Sequence, residues 1–394
     1  MTGVWGLAAL WLGLALIASL LSIWLRISTA LSEIVVGMIA QLIIGAAVGA
    51  AVLGTDESWV KFLSGLGAIV LTFLAGAELD PAVFRLKWKE ALSVGLASFF
   101  FPFLGCAAAA HYLLGWELMP SWLAGVAMST TSVAVVYAVM LEFGFNTTEY
   151  GKTILAACFV TDLGTVVALG LIFAPFTIKT LIFLGTGVVA FIVLPWITPR
   201  FFRLYGNRPS ELEAKFLLLC LLGMGALAAW ADSEAVLPAY LIGMVLAGTV
   251  GKDHALIRRL RTLTFGLLTP FYFIRAGSYV SIPDLVAAPI AFILFLVVKV
   301  GTKIVGVYPV TKLFGSPNKE AMYTTLLMST GLTFGTISSL FGLSHGIIDQ
   351  AQYSSLVATV IASAVVPTAI ANAFYLPRHL LPRRESAAPD REAA

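Results

Sequence analysis

The chain has 394 residues, of which 59% are hydrophobic and only 11% charged, and its mean hydropathy is +0.95. Soluble domains run about 45–50% apolar and about 25% charged, so there is too little polar sequence to cover a water-soluble globule of this size. Disorder is excluded for the same reason, and a net charge of +3 is too small to point to nucleic acid. The composition is that of an all-α polytopic membrane protein. Cys106, Cys158 and Cys220 all lie in apolar runs, without metal spacing and in odd number, and read as small core residues.

A spanning helix needs roughly 20 mostly apolar residues. Cutting at charged and turn-rich breaks predicts thirteen, at 3–25, 31–53, 60–79, 90–115, 121–142, 151–175, 178–198, 213–231, 234–250, 264–280, 285–310, 321–343 and 353–377. The first has no basic residue ahead of it and is too long for a signal-peptide core, so it reads as a membrane helix. No soluble domain is expected at either end, which leaves a separate cytosolic regulatory subunit as the place for any nucleotide-dependent control.

The basic residues orient these segments. Taking the C-terminus and every loop after an odd-numbered segment as one side, and counting a residue in a segment's first turn with the loop before it, places 19 of the 24 Lys and Arg there. Lys61 and Lys179 fall on the other side, and Arg275, Lys299 and Lys303 fall inside segments. Cytoplasmic loops are enriched in Lys and Arg, so the N-terminus is expected outside and the C-terminus in the cytoplasm.

Segments five and twelve share an echo. Met128-Ser129-Thr130 continues as Thr131-Ser132, and Met328-Ser329-Thr330 continues as Gly331-Leu332-Thr333. The copies lie seven segments apart, an odd number, so they run in opposite directions, as in the inverted repeats that build many transporter sites. Segments one to six would repeat as eight to thirteen. Ser and Thr compete for backbone hydrogen bonds and Gly weakens a helix, which favours broken helices at both places. Close helix packing by small residues is the alternative.

One acid remains near mid-membrane: Asp162, twelfth residue of the sixth segment. The others lie in loops or within a turn or two of a segment end. A central charge costs about 2.5–3.5 kcal/mol on insertion scales. It persists where it carries a proton or an ion, pairs with a cation, or is hydrogen-bonded to a neighbouring helix. Thr161 and Thr165, with Thr131 and Ser132 of the first break, offer neutral oxygens that suit a hard monovalent cation. Lys299 and Lys303 are four residues apart and share a helix face. They either snorkel to the interface or compensate charge at the site. Arg275 lies near the outward end of segment ten, as a gate or a helix-pairing residue.

Together these residues resemble the second branch of the monovalent cation:proton antiporter superfamily, which includes bacterial Na+/H+ and K+/H+ exchangers. LGAIVLTFLAGAEL (66–79), STTSVAVVYAVMLEFG (129–144), GKTILAACFVTDLGTVV (151–167), LLTPFYFIRAG (267–277), KIVG (303–306) and the second break at 328–335 carry the likeness over nearly the whole chain. The resemblance implies two inverted six-helix repeats with crossed broken helices. They sort into a dimerisation domain (1–80 and 213–280), a core ion-transport domain (90–175 and 285–377), a linker helix (176–200) and a short cytoplasmic tail (378–394). It implies a homodimer in lipid, in a bacterial inner membrane, with the core moving like an elevator and no cofactor beyond the transported ions, H+ and Na+ or K+. The ion-binding Asp maps to Asp162 and the basic residue to Lys303, with Lys299 the alternative. Electrogenic sodium exchangers carry two adjacent acids; Thr161 stands at the first, so one-for-one exchange is expected. A potassium efflux pathway gated by a partner chain, a sodium-coupled organic-anion symporter and an intramembrane protease are the other classes to weigh. A protease of the aspartyl type needs a second membrane acid.

Overall fold

The computed structural model describes residues 2–25, 28–47, 53–77, 87–145, 148–173, 177–206, 208–231, 236–287 and 289–381. Arg26, the stretch carrying Glu78, Asp80 and Arg85, and the tail beyond Leu381 lie outside the described residues. The described regular structure is helical. In chain order the helices are α1 (Thr2–Leu25), α2 (Thr29–Ala47), α3 (Ser58–Ala77), α4 (Trp88–Ala108), α5 (Leu118–Ser129), α6 (Val133–Glu142), α7 (Glu149–Phe173), α8 (Ile178–Tyr205) and α9 (Leu212–Trp230). They continue with α10 (Val236–Leu246), α11 (His254–Leu263), α12 (Thr269–Ser278), α13 (Ile282–Ala287), α14 (Pro289–Leu313), α15 (Asn318–Met328), α16 (Thr333–Ser344) and α17 (Gln350–Ile370).

Helix covers most of each range marked out by hydropathy. Among the described residues, nine helical runs are long and apolar enough to cross a membrane, and α2 and α5 are apolar but shorter. Sequence and structure part company around segment ten. The helical run there starts at His254, ten residues early, because HALIRRLRTL (254–263) is too charged to register as a span. Asp253 caps it, accepting from the Ala255 and Leu256 amides at 3.1 and 3.0 Å. Between α11 and α12 the chain makes a π turn, Thr264–Leu268. Pro270 follows it, and a proline ring cannot accept the carbonyl four residues back in a regular α-helix.

Burial sorts the helices. Large apolar side chains of α1 (Trp5, Leu16, Ile23, Trp24) and α8 (Ile178, Leu181, Ile192, Trp196) are exposed, a pattern that suits contact with lipid rather than water. The breaks and α16 are buried almost throughout. Two reciprocal glycine contacts bring backbones together elsewhere. Gly37 of α2 abuts the Ile274 carbonyl of α12 while Gly277 abuts the Ile34 carbonyl. Gly76 of α3 abuts the Tyr240 carbonyl of α10 while Gly243 abuts the Phe73 carbonyl. A side chain at any of the four would collide with backbone, and small residues are what let membrane helices approach so closely.

Candidate functional site

α5 stops at Ser129 because Thr130 takes an extended conformation, with φ −63° and ψ 154°, and the chain is helical again from Val133. The second interruption runs from Ser329 to Leu332, between α15 and α16. The two interruptions meet. The Ser132 amide donates to the Thr330 carbonyl at 3.1 Å, the Thr131 hydroxyl to the Met328 carbonyl at 2.8 Å, and the Thr130 hydroxyl to the Gly331 carbonyl at 3.3 Å. Each break therefore satisfies backbone groups that the other's lost helical turns leave unpaired. Ser129 and Thr330 close back onto their own helices, through Val126 O at 2.7 Å and Leu327 O at 2.8 Å. Ser329 does the same through Thr325 O at 2.8 Å.

Lys303 of α14 is fully buried and addresses the first break. Its ammonium donates to Ser98 Oγ at 2.6 Å, Ser129 O at 3.0 Å, Thr131 Oγ1 at 3.1 Å and Thr130 O at 3.4 Å. These are all neutral oxygens, and two are carbonyls at the C-terminal, negative end of α5. Lys299, one turn earlier, is also fully buried but has no hydrogen-bond partner among the described residues. Neither lysine snorkels.

Asp162 on α7 is 1% exposed. Neither carboxylate oxygen has a hydrogen-bond partner among the described residues. The side chain lies in the wall of a cavity of about 820 Å³ enclosed by α3, α6, α7, α11 and α16. Thr72 and Thr333 line the same cavity. The Thr72 hydroxyl donates to Ala68 O at 2.7 Å, which leaves its oxygen able to accept or coordinate. His254 and Arg258, both exposed, and Arg261 also line the cavity. Phe265, Phe334 and Tyr137 form apolar wall. The arrangement offers one bare carboxylate and two neutral oxygens in a half-open, largely apolar chamber. A desolvated monovalent cation or a proton would compensate that charge.

The sequence-predicted residues divide into two groups. Asp162 and Thr333 line the cavity. Thr161, Thr131 and Ser132 do not. The Thr161 hydroxyl contacts Gly95 O and Ala157 O, each at 3.1 Å, because neighbours on a helix point about 100° apart. Thr131 is held by Met328 O and Lys303, and Ser132 lies 3.5 Å from the Thr333 hydroxyl. Arg275 lies away from the cavity. It donates to Thr55 O at 2.9 Å and to the Tyr279 hydroxyl at 2.9 Å. Tyr279 donates in turn to Asp56 at 3.1 Å, and Lys61 pairs with the same carboxylate at 2.9 Å. The Lys61 hydrogen bond holds the Asp56 carboxyl below its ordinary range against the cost of desolvation, with a lesser contribution from Tyr279.

Two residues that matter to this geometry were not singled out from the sequence. Thr72 looks like any small residue of an apolar helix. Tyr240 of α10 donates to the Phe159 carbonyl of α7 at 3.0 Å, three residues before Asp162, and no local pattern marks it. Two further acids, Glu33 on α2 and Glu213 on α9, sit near helix starts yet are buried too. Neither lines the cavity. The C-terminal end of α12 is fastened to α17. Gln350 donates to the Tyr279 carbonyl, Tyr353 to the Ala276 carbonyl at 2.7 Å, and the Ser281 amide to Ser354 Oγ at 2.9 Å.

The structure thus brings together two interrupted helices that satisfy each other's backbone, two buried lysines and a buried carboxylate. The family model "Sodium/hydrogen exchanger, transmembrane" matches residues 12–374, and the chain belongs to that family. It is 26% identical over 355 residues to the Na(+)/H(+) antiporter of Enterococcus hirae, covering 86% of this chain and 91% of that protein. It is 26% identical over 373 residues to Cation/H(+) antiporter 17 of Arabidopsis thaliana, where 86% of this chain spans only 45% of the plant protein. The Na(+)/H(+)-K(+) antiporter GerN of Bacillus cereus is 23% identical over 349 residues, covering 84% of this chain and 87% of that one. The structure of the sodium proton antiporter MjNhaP1 from Methanocaldococcus jannaschii at pH 8 superposes with a TM-score of 0.72 over 94% of this chain and 97% of that one, at 15% identity. That likeness is one of fold. These relatives are transporters, not enzymes.

Proposed function

We propose that this protein is a secondary active antiporter exchanging protons for a monovalent cation, Na+ or K+, one for one, by competition at Asp162. The observation that carries it is the Asp162 carboxylate, buried in the cavity wall with no donor on either oxygen among the described residues. A carboxylate stripped of water and left bare is costly. Either a proton or a cation removes that cost, but not both together, so the two exclude each other at one group. Thr72 and Thr333 complete the cation's shell.

The stoichiometry follows from charge. Lys303 is held by neutral oxygens, and among the described residues no ion pair joins it to Asp162. Its charge then stays constant through the cycle, and one carboxylate exchanges one positive charge for another.

Access alternates by an elevator-like displacement of the core (90–175 and 285–377) against the dimerisation domain (1–80 and 213–280), with 176–200 as linker. The cavity mouth is on the side rich in Arg258 and Arg261, the cytoplasmic side by the charge bias of the loops. The Tyr279–Gln350 and Tyr353–Ala276 contacts close the other side. The pairing of helices supports two inverted repeats spanning thirteen times. If segments one to six repeat as eight to thirteen, the α2–α12 contact maps onto the α10–α3 contact, and both are reciprocal glycine crossings. We further propose a homodimer in a bacterial inner membrane, N-terminus outside and C-terminus inside.

The test is proton flux in proteoliposomes, with Na+, Li+, K+ and Rb+ added in turn, for wild type and Asp162→Asn. Wild type is expected to saturate with one or more of these ions, and the variant to show no cation-dependent flux. Retained flux in the variant overturns the assignment. Exchange that responds to an imposed membrane potential overturns the one-for-one stoichiometry.

A further inference from the structure

Lys299 is a buried charged group that the exchange scheme leaves without a task. It shares a face of α14 with Lys303, but the two side chains end in different places. Lys303 fills the end of the first break. Lys299 Nζ lies against Gly331 in the second. A methyl group built on Gly331 would collide with Lys299 Nζ, and would stand 2.5 Å from Thr130 Oγ1 and 3.0 Å from Thr130 O.

The usual reason for a glycine at a helix break does not apply here. Gly331 is not among the glycines with positive φ, so its backbone is one that any residue can adopt. Space is the reason. The volume that a side chain would take at residue 331 is occupied from one side by the lysine of α14 and from the other by the threonine of the first break. Two residues further on, Thr333 opens α16 and lines the same cavity as Asp162. What sits in the notch of Gly331 therefore sets where Thr333 stands.

We propose that Lys299 is a positioning residue for the exchange: its side chain seats in the notch of Gly331, fixes the second break against the first, and so holds Thr333 at the distance from Asp162 that a cation needs. This rests on the antiport reading for its transport consequence, and on the seat itself for its structural one.

The test is a double-mutant cycle on the full chain. Gly331→Ala is expected to raise the apparent KM for the driving cation about tenfold, with the maximal rate changed less than threefold. Lys299→Ala, which empties the seat, is expected to raise it about fivefold. The double variant, in which the methyl still meets Thr130 but no longer meets Lys299, is expected to lose clearly less than the product of the two single effects. Lys299→Met, which refills the seat without a charge, is expected to stay within threefold of wild type. The proposal is overturned if the methyl costs the same factor with and without Lys299. It is also overturned if Lys299→Met is as impaired as Lys299→Ala, since charge rather than seating would then be at work. A lysine that merely supports folding would lower yield and maximal rate and leave KM unmoved. The thermal midpoints of the same four variants in detergent give a readout independent of transport. They are expected to be non-additive in the same sense, and additive midpoints overturn the seat even if Asp162→Asn shows the antiport reading to be wrong.

Discussion

Replacing Lys303 with methionine separates two roles that a membrane lysine could play. Methionine keeps most of the volume, so little cavity forms and the loss is one of hydrogen bonds. Three of the four contacts are at 3.1 Å or less, and the carbonyls of Ser129 and Thr130 sit where the break removes helical donors. Leaving two buried acceptors unsatisfied costs about 2–6 kcal/mol. Removing a buried charge returns part of that, so the expected net loss is about 3 kcal/mol. Denaturant unfolding in detergent, followed by tryptophan fluorescence, measures it. The same measurement on Asp162→Asn and on the double variant tests the partner. If Lys303 serves the break and not the carboxylate, the two effects add to within about 0.5 kcal/mol, as for independent sites. A variant as stable as wild type, or a coupling energy above about 1 kcal/mol, would refute the reasoning and with it the constant charge of Lys303 during exchange.

Other expectations follow from the same geometry. Thr72→Ala and Thr333→Val each remove one neutral oxygen from the cavity. Each should raise the apparent cation KM roughly 2- to 10-fold, the worth of about 0.5–1.5 kcal/mol per ligand, without altering the proton dependence at zero cation; unchanged KM values would remove these residues from the shell. Tyr240→Phe breaks the one described hydrogen bond from α10 to the carbonyl of Phe159. If that bond must open for α7 to move, the turnover rate should rise about two- to tenfold while KM holds, the scale of a bond worth about 0.5–1.5 kcal/mol; a slower carrier would refute it. Asp56 is held below the ordinary carboxylate range, so its contribution is complete above about pH 4 and fades as pH falls further. Because the pair is largely exposed, Asp56→Asn should cost less than about 1 kcal/mol. The gap in thermal midpoint should be constant from pH 6 to 8 and close only in acid; a gap that changes near neutrality would point to another titrating group.

What the sequence made legible follows from physics that acts locally. Hydropathy located the helices because burying apolar length is decided over some twenty consecutive residues. Asp162 stood out because a lone acid in such a stretch is costly wherever it points. The breaks were visible in the two Met-Ser-Thr runs. The rest depended on crossings between distant segments. Lys299 and Lys303 share a helix face, and which break each meets is fixed by how α14 crosses both. Thr161 was taken for a ligand on adjacency alone, although helical periodicity already turns it away from its neighbour. Thr72 and Tyr240 are unremarkable until α3 and α10 are set beside α7. The amphipathic start of the α11 run was missed because a threshold on hydropathy cannot see a helix that is apolar on one side only.

The reciprocal glycine contacts have a consequence for how the protein is made. α2 meets α12, and α3 meets α10, so each notch on an early helix is filled by backbone synthesised much later. Until then Gly37 and Gly76 face lipid with shallow, unfilled surfaces that hold no partner tightly. The first half of the chain can enter the bilayer on hydropathy alone, but it cannot complete its packing before the second half arrives. Completion of these two crossings is therefore a late event, and a ribosome that stops after α9 leaves α2 and α3 inserted without the helices that fill their notches.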